Sequence, residues 1–125
     1  MEKIILDTNI LIELSRNNTE ILNKITNINP DNLYITPVVY GEFIFGAQNK
    51  FQFDAYLKFI QKFKILNSNE KVDDIFIQLY NNFSLSHRPT IPDFLIAAIS
   101  IYYDATLFTL NVKDFKFINN LKLYV

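Results

Sequence analysis

Apolar residues open this chain as a run, Ile4-Ile5-Leu6, and then return at helical spacing as Ile10, Leu11 and Leu14. The run is too short for a helix and rich in β-branched residues, so it predicts a buried strand, with a helix over residues 8 to 16 behind it. Asn17-Asn18 breaks that pattern, and a short amphipathic helix follows from Thr19 to Ile25. Asn29-Pro30-Asp31-Asn32 is a turn by composition. A second strand is predicted over residues 33 to 36, and Pro37 opens a third helix reaching about residue 47, since the missing N–H of proline costs nothing in a first turn. Two more helices are expected: 51 to 63, with Phe53, Tyr56, Leu57 and Ile60 on a core stripe, and 70 to 85, with Val72, Ile75, Phe76, Leu79, Tyr80 and Phe83 on another. The segment 90 to 102 is almost wholly apolar and predicts a buried helix. Short strands are expected at 65 to 66, at 107 to 109 and, along an edge, at 122 to 125.

Strands and helices that alternate in this way predict an α/β fold, a mostly parallel sheet with helices on both faces. At 125 residues and 50% hydrophobic content, the chain suits one domain spanning 1–125. With no Cys, disulfide frameworks, thiolate metal sites and thiol nucleophiles are excluded. No apolar run approaches the ~20 residues that span a bilayer, and the start shows no signal-peptide pattern. The expectation is a soluble, cytoplasmic protein.

Four acids stand where such a fold concentrates chemistry. Asp7 closes the first strand, Glu42 lies inside the apolar third helix, Asp93 enters the first turn of the buried helix, and Asp114 follows the strand at 107 to 109. Singly, each has an ordinary explanation as a cap, a dipole-complementing residue or an exposed side chain. Together they map to one rim, where strand C-termini and helix N-termini meet and where ligands of open α/β sheets bind. Clustered carboxylates repel and favour protonation unless a cation neutralises them. Oxygen donors without Cys or a His pair suit Mg²⁺ or Mn²⁺ rather than Zn²⁺, and such an ion in a carboxylate site fits phosphodiester hydrolysis. The net charge is −1, but with those four acids set aside the remaining nine face twelve Lys and Arg, leaving a mildly positive surface. The only His, His87, reads as a loop residue without a catalytic role, and Arg88 beside it as a possible phosphate contact.

Four motifs in order resemble the PIN-domain ribonucleases, in particular VapC-type toxins of type II toxin–antitoxin pairs. They are Ile-Leu-Asp-Thr-Asn at 5 to 9, Pro-Val-Val-Tyr-Gly-Glu-Phe-Ile-Phe-Gly at 37 to 46, Pro-Asp-Phe-Leu-Ile-Ala-Ala at 92 to 98, and Thr-Leu-Asn-Val-Lys-Asp-Phe at 109 to 115. The resemblance covers essentially the whole chain and implies a PIN-like three-layer fold and a metal-dependent endoribonuclease. It implies Asp7 and Asp93 as principal metal ligands and Glu42 as a ligand or a group orienting water. It divides the fourth acidic position between Asn111 and Asp114. Thr8, Asn9 and Thr109 would steady the carboxylates, and Arg88, Lys113 and Lys116 are the candidate phosphate contacts. It further implies a homodimer and a VapB-like antitoxin partner, with both contacts sought on the helices around residues 43 to 59.

Other families fit less well. A haloacid-dehalogenase-type phosphatase needs a second Asp where Asn9 stands, and a receiver domain needs an acidic neighbour that Asp7 lacks. A catalytically silent PIN-like module that binds RNA or protein is the alternative of a different class. It gives no physical reason to keep mutually repelling acids.

Overall fold

The computed structural model describes residues 2–124. Val125, expected in the last strand, lies outside them. Five parallel strands, β1 (Ile4–Leu6), β2 (Leu33–Ile35), β3 (Lys64–Ile65), β4 (Thr106–Phe108) and β5 (Lys122–Leu123), form one sheet in the order β3-β2-β1-β4-β5. Six helices cover it: α1 (Thr8–Ser15), α2 (Thr19–Ile25), α3 (Pro37–Phe45), α4 (Lys50–Ile60), α5 (Glu70–His87) and α6 (Ile91–Tyr102). The α/β expectation therefore holds, and the described strands are all parallel.

The order places the topological switch between β1 and β4. From β1 the chain first builds outward through β2 and β3, then returns to β1's other side with β4. In open α/β sheets this is where the crevice opens beyond the strand C-termini. Both central strands are buried along their whole length, as parallel strands sandwiched between helix layers must be. The Ile4↔Thr106 register brings Leu6 opposite Phe108, and the ladder extends one step further as Asp7 N–H donates to the Phe108 carbonyl at 2.9 Å.

Caps set where the helices begin. Thr36 ends β2's polypeptide rather than joining the strand: its hydroxyl accepts from Val39 N–H at 3.2 Å and starts α3. Asn49 and Asn69 do the same for α4 and α5, accepting from Gln52 N–H and Val72 N–H. α6 is the most buried helix, with Phe94, Ile96, Ala97, Ala98 and Ile99 in the core, as its composition predicted. α5 packs along it.

Two expectations need correction. Phe53, expected on the core stripe of α4, is 37% exposed; the helix turns Tyr56 and Ile60 inward as expected, with Phe59 beside them. The Phe43 ring decides this rotation by stacking on Tyr56 at 4.4 Å and meeting Phe59 at 5.6 Å. His87 is not in a loop: α5 runs two residues past Leu85, and His87 forms its last turn. The helix is extended because the imidazole stacks on Phe117 at 3.8 Å with 14° between the planes. It stops at Arg88, whose backbone is left-handed (φ 46°) immediately before Pro89.

Candidate active site

Asp7 is the centre of the rim. It is 4% exposed, caps α1 by accepting from Thr8 N–H at 2.8 Å, and accepts from the Thr109 hydroxyl at 2.7 Å. One oxygen is thus fixed by the helix that follows β1 and the other by the residue that follows β4. Thr109 is itself held: its oxygen accepts from Asn111 N–H at 3.1 Å and from the Asn9 amide at 3.4 Å. The Asn9 carbonyl oxygen closes the loop by accepting from Leu110 N–H at 3.1 Å. These bonds tie the β1–α1 turn to the segment after β4 across the switch point.

Glu42 arrives from α3, which packs against α1. Thr8 donates its hydroxyl to Glu42 Oε1 at 2.6 Å, fixing an otherwise exposed carboxylate towards the rim. Asp93 arrives from the first turn of α6, where Thr90 caps the helix by accepting Asp93 N–H at 3.3 Å. Asp114 ends a single 3-10 turn, Val112–Asp114, after β4.

The electrostatics show that these acids share one place. Burial raises the pKa of Asp7 above its ordinary value, and the negative charges of Glu42 and Asp114 raise it further; the bonds from Thr109 and Thr8 work in the opposite direction. Asp93 is also raised, first by burial and then by the charges of Asp7, Asp114 and Glu42. Four acids from distant parts of the sequence therefore act on one another. Among the described residues, no group of three or more His, Cys, Asp or Glu side chains is arranged to hold a metal ion. An all-oxygen donor set with two buried or half-buried carboxylates fits a cation such as Mg²⁺, which is commonly held by one or two carboxylates and keeps several waters.

Not every expected residue converges equally. Arg88 and Lys113 line a cavity beside the acids, together with His87, Asp93, Asp114 and Phe117. Lys116 is exposed and is not on that lining. Asn111 is exposed and its side chain makes no capping bond, whereas Asp114 faces the cavity and acts electrostatically on Asp7 and Asp93. Phe117 also lines this cavity, and sequence reasoning did not single it out. The only signal was an aromatic three residues beyond Asp114, in a chain with twelve Phe.

A doubly covered parallel sheet with acids gathered at its switch point is the architecture of the PIN domain, and the model of that family matches residues 4–119. The chain belongs to the PIN domain family. It is 34% identical over 131 residues to "Ribonuclease VapC" of Rickettsia bellii, an alignment covering 96% of this chain and 93% of the relative. It is 31% identical to "Ribonuclease VapC1" of Haemophilus influenzae over 94% of this chain and 92% of that protein. Among solved structures, VapBC2 from Rickettsia felis bound to a promoter DNA fragment superposes with a TM-score of 0.85 at 26% identity, covering 97% of this chain and 96% of that one. VapBC-1 from Haemophilus influenzae gives 0.82 at 28% identity, with 97% and 96% covered. Among the described residues no helix is long and apolar enough to cross a membrane.

Proposed function

We propose that this chain is a metal-dependent endoribonuclease, the toxin of a VapBC-type toxin–antitoxin pair. The observation that carries the reading is that Asp7, Glu42, Asp93 and Asp114 act on one another: burial first, and then the charges of the neighbouring acids, raise Asp7 and Asp93. A folded protein bears that repulsion at no gain unless a cation occupies the site. Support for RNA as substrate comes from the ribonuclease names of two relatives that align end to end with this chain.

In this reading Asp7 and Asp93 would hold Mg²⁺ or Mn²⁺, with Glu42 and Asp114 as the neighbouring acids. When bound, such an ion offsets charge on a phosphoryl oxygen and lowers the pKa of a water. The protein's own residues do the rest. Thr109 and Thr8 N–H hold Asp7 in one orientation. Glu42, with Oε1 engaged by Thr8, has Oε2 left to orient the attacking water and accept its proton. Arg88 and Lys113 meet neighbouring phosphates. Exposed Phe45, Phe51 and Phe53, at the end of α3 and along α4, are where we place contact with an antitoxin and with a second copy of the chain.

Purified protein incubated with single-stranded and structured RNAs tests this directly. Cleavage that needs Mg²⁺ or Mn²⁺ and disappears with EDTA and in folded Asp7→Asn and Asp93→Asn variants is the expected result. Normal RNA binding without cleavage under all metal conditions would instead establish a catalytically silent module.

A further inference from the structure

One face of the His87 imidazole lies flat on Phe117, while the residue itself remains exposed. Phe117 is in turn backed by core aromatics, edge-on to Phe83 at 5.0 Å and tilted against Phe94 at 6.1 Å. The imidazole is braced again by the Ser86 hydroxyl, 2.8 Å from Nδ1. Below it the turn into α6 is pinned: Arg88 N–H donates to the Ser84 carbonyl at 3.1 Å, and the Tyr80 hydroxyl donates to the Pro89 carbonyl at 3.0 Å. The result is a planar ring held by packing, an exposed residue on the lining of a cavity that also contains Arg88, Lys113, Asp93 and Asp114.

Arg88 adds an independent observation. Among the described residues, the three non-glycine positions with positive φ are Asn17, Arg88 and Asp104. Asn and Asp tolerate the left-handed region through short polar side chains, whereas Arg has no such compensation and glycine is the usual residue at this helix end. A guanidinium is thus placed on the cavity wall at a backbone position that disfavours it.

We infer that the exposed face of His87, backed by Phe117, is a stacking platform for a nucleobase next to the scissile phosphodiester, with Arg88 and Lys113 meeting the phosphates on either side of that nucleotide. Imidazole and phenyl faces are the surfaces on which single-stranded bases stack, and guanidinium and ammonium groups read the backbone. The cavity is continuous with the acids through Asp93 and Asp114, so a base seated there brings its own phosphate to the rim. This inference rests on RNA being the substrate.

Two measurements separate it from that reading. In the first, wild type, His87→Ala and His87→Phe are compared on a cleaved oligoribonucleotide and on versions carrying an abasic nucleotide at each position flanking the cut. His87→Ala raises KM about tenfold with kcat little changed, His87→Phe restores it, and at one flanking position the abasic substrate abolishes the difference between the variants. Equal KM for wild type and His87→Ala on the intact substrate, with unchanged melting temperatures, overturns the platform while leaving the ribonuclease reading intact. In the second, an oligoribonucleotide containing 2-aminopurine is bound in EDTA. Quenching that is lost in His87→Ala supports the platform even if no RNA is cut, and quenching that is the same in both refutes it.

Discussion

Thr109 donates its hydroxyl to Asp7 Oδ2 at 2.7 Å, joining residues 102 positions apart across the β1–β4 pair. The parallel register makes this bond possible, because it brings the ends of the two strands level. Its chemical effect is to stabilise the ionised form of a carboxylate that burial and two neighbouring acids push towards protonation.

Thr109→Val keeps the side chain's volume but removes that bond together with the acceptor for Asn111 N–H and the Asn9 amide, so we expect a folded, somewhat less stable protein with RNA cleavage reduced about 10- to 100-fold, the usual effect of losing a group that orients a metal-binding carboxylate. Steady-state kinetics with a melting curve on the same sample checks this. Wild-type activity in the valine variant would show that Asp7 needs no steadying.

Thr8 and Glu42 should behave as one unit. Thr8→Val and Glu42→Ala each lower cleavage, and the double variant is no slower than the worse single one, because the Thr8 hydroxyl acts through Glu42 Oε1. Fully multiplicative losses in the double-mutant cycle would mean that the two side chains act independently.

The metal-free protein should become more stable on mild acidification. The folded-state pKa values of Asp7 and Asp93 lie above the ordinary 3.8. Only the folded state bears the cost of holding these carboxylates ionised, through burial first and then the neighbouring charges. As pH falls through the raised folded values, the folded state takes up protons that the unfolded state does not yet bind, and stability rises, the gain being complete below the unfolded value. Melting temperature in EDTA therefore climbs in wild type as pH falls from neutrality towards the ordinary carboxylate value of 3.8, and less steeply in Asp93→Asn. Saturating Mn²⁺ flattens the wild-type slope. A melting temperature that falls over this range in EDTA contradicts the direction of both shifts.

Much of this site was readable from local signals. A strand ending in Asp-Thr-Asn and a Thr-Ile-Pro-Asp helix entry each announce an acid at the rim, and both signals depend only on neighbouring residues. The alternation of elements then implied that the rims coincide. What could not be read was set by pairings distant in sequence. The donor to Glu42 is Thr8, 34 residues away, and no spacing rule links them. Phe53 faces outward because Phe43 claims Tyr56 and Phe59, a choice made between two helices. The last two residues of α5 lie beyond the expected end, where His87 finds Phe117, thirty positions later. Between Asn111 and Asp114 only the 3-10 turn decides which side chain reaches the cavity.

The most direct test of the account is calorimetric titration of Mn²⁺ into metal-free protein, with Asp7→Asn and Asp93→Asn alongside. Gathering these acids makes sense only if a divalent cation offsets their charge. Saturable binding by wild type, weakened at least about tenfold in either folded variant, is the predicted result. No binding by wild type, or equal binding by all three proteins, would contradict it.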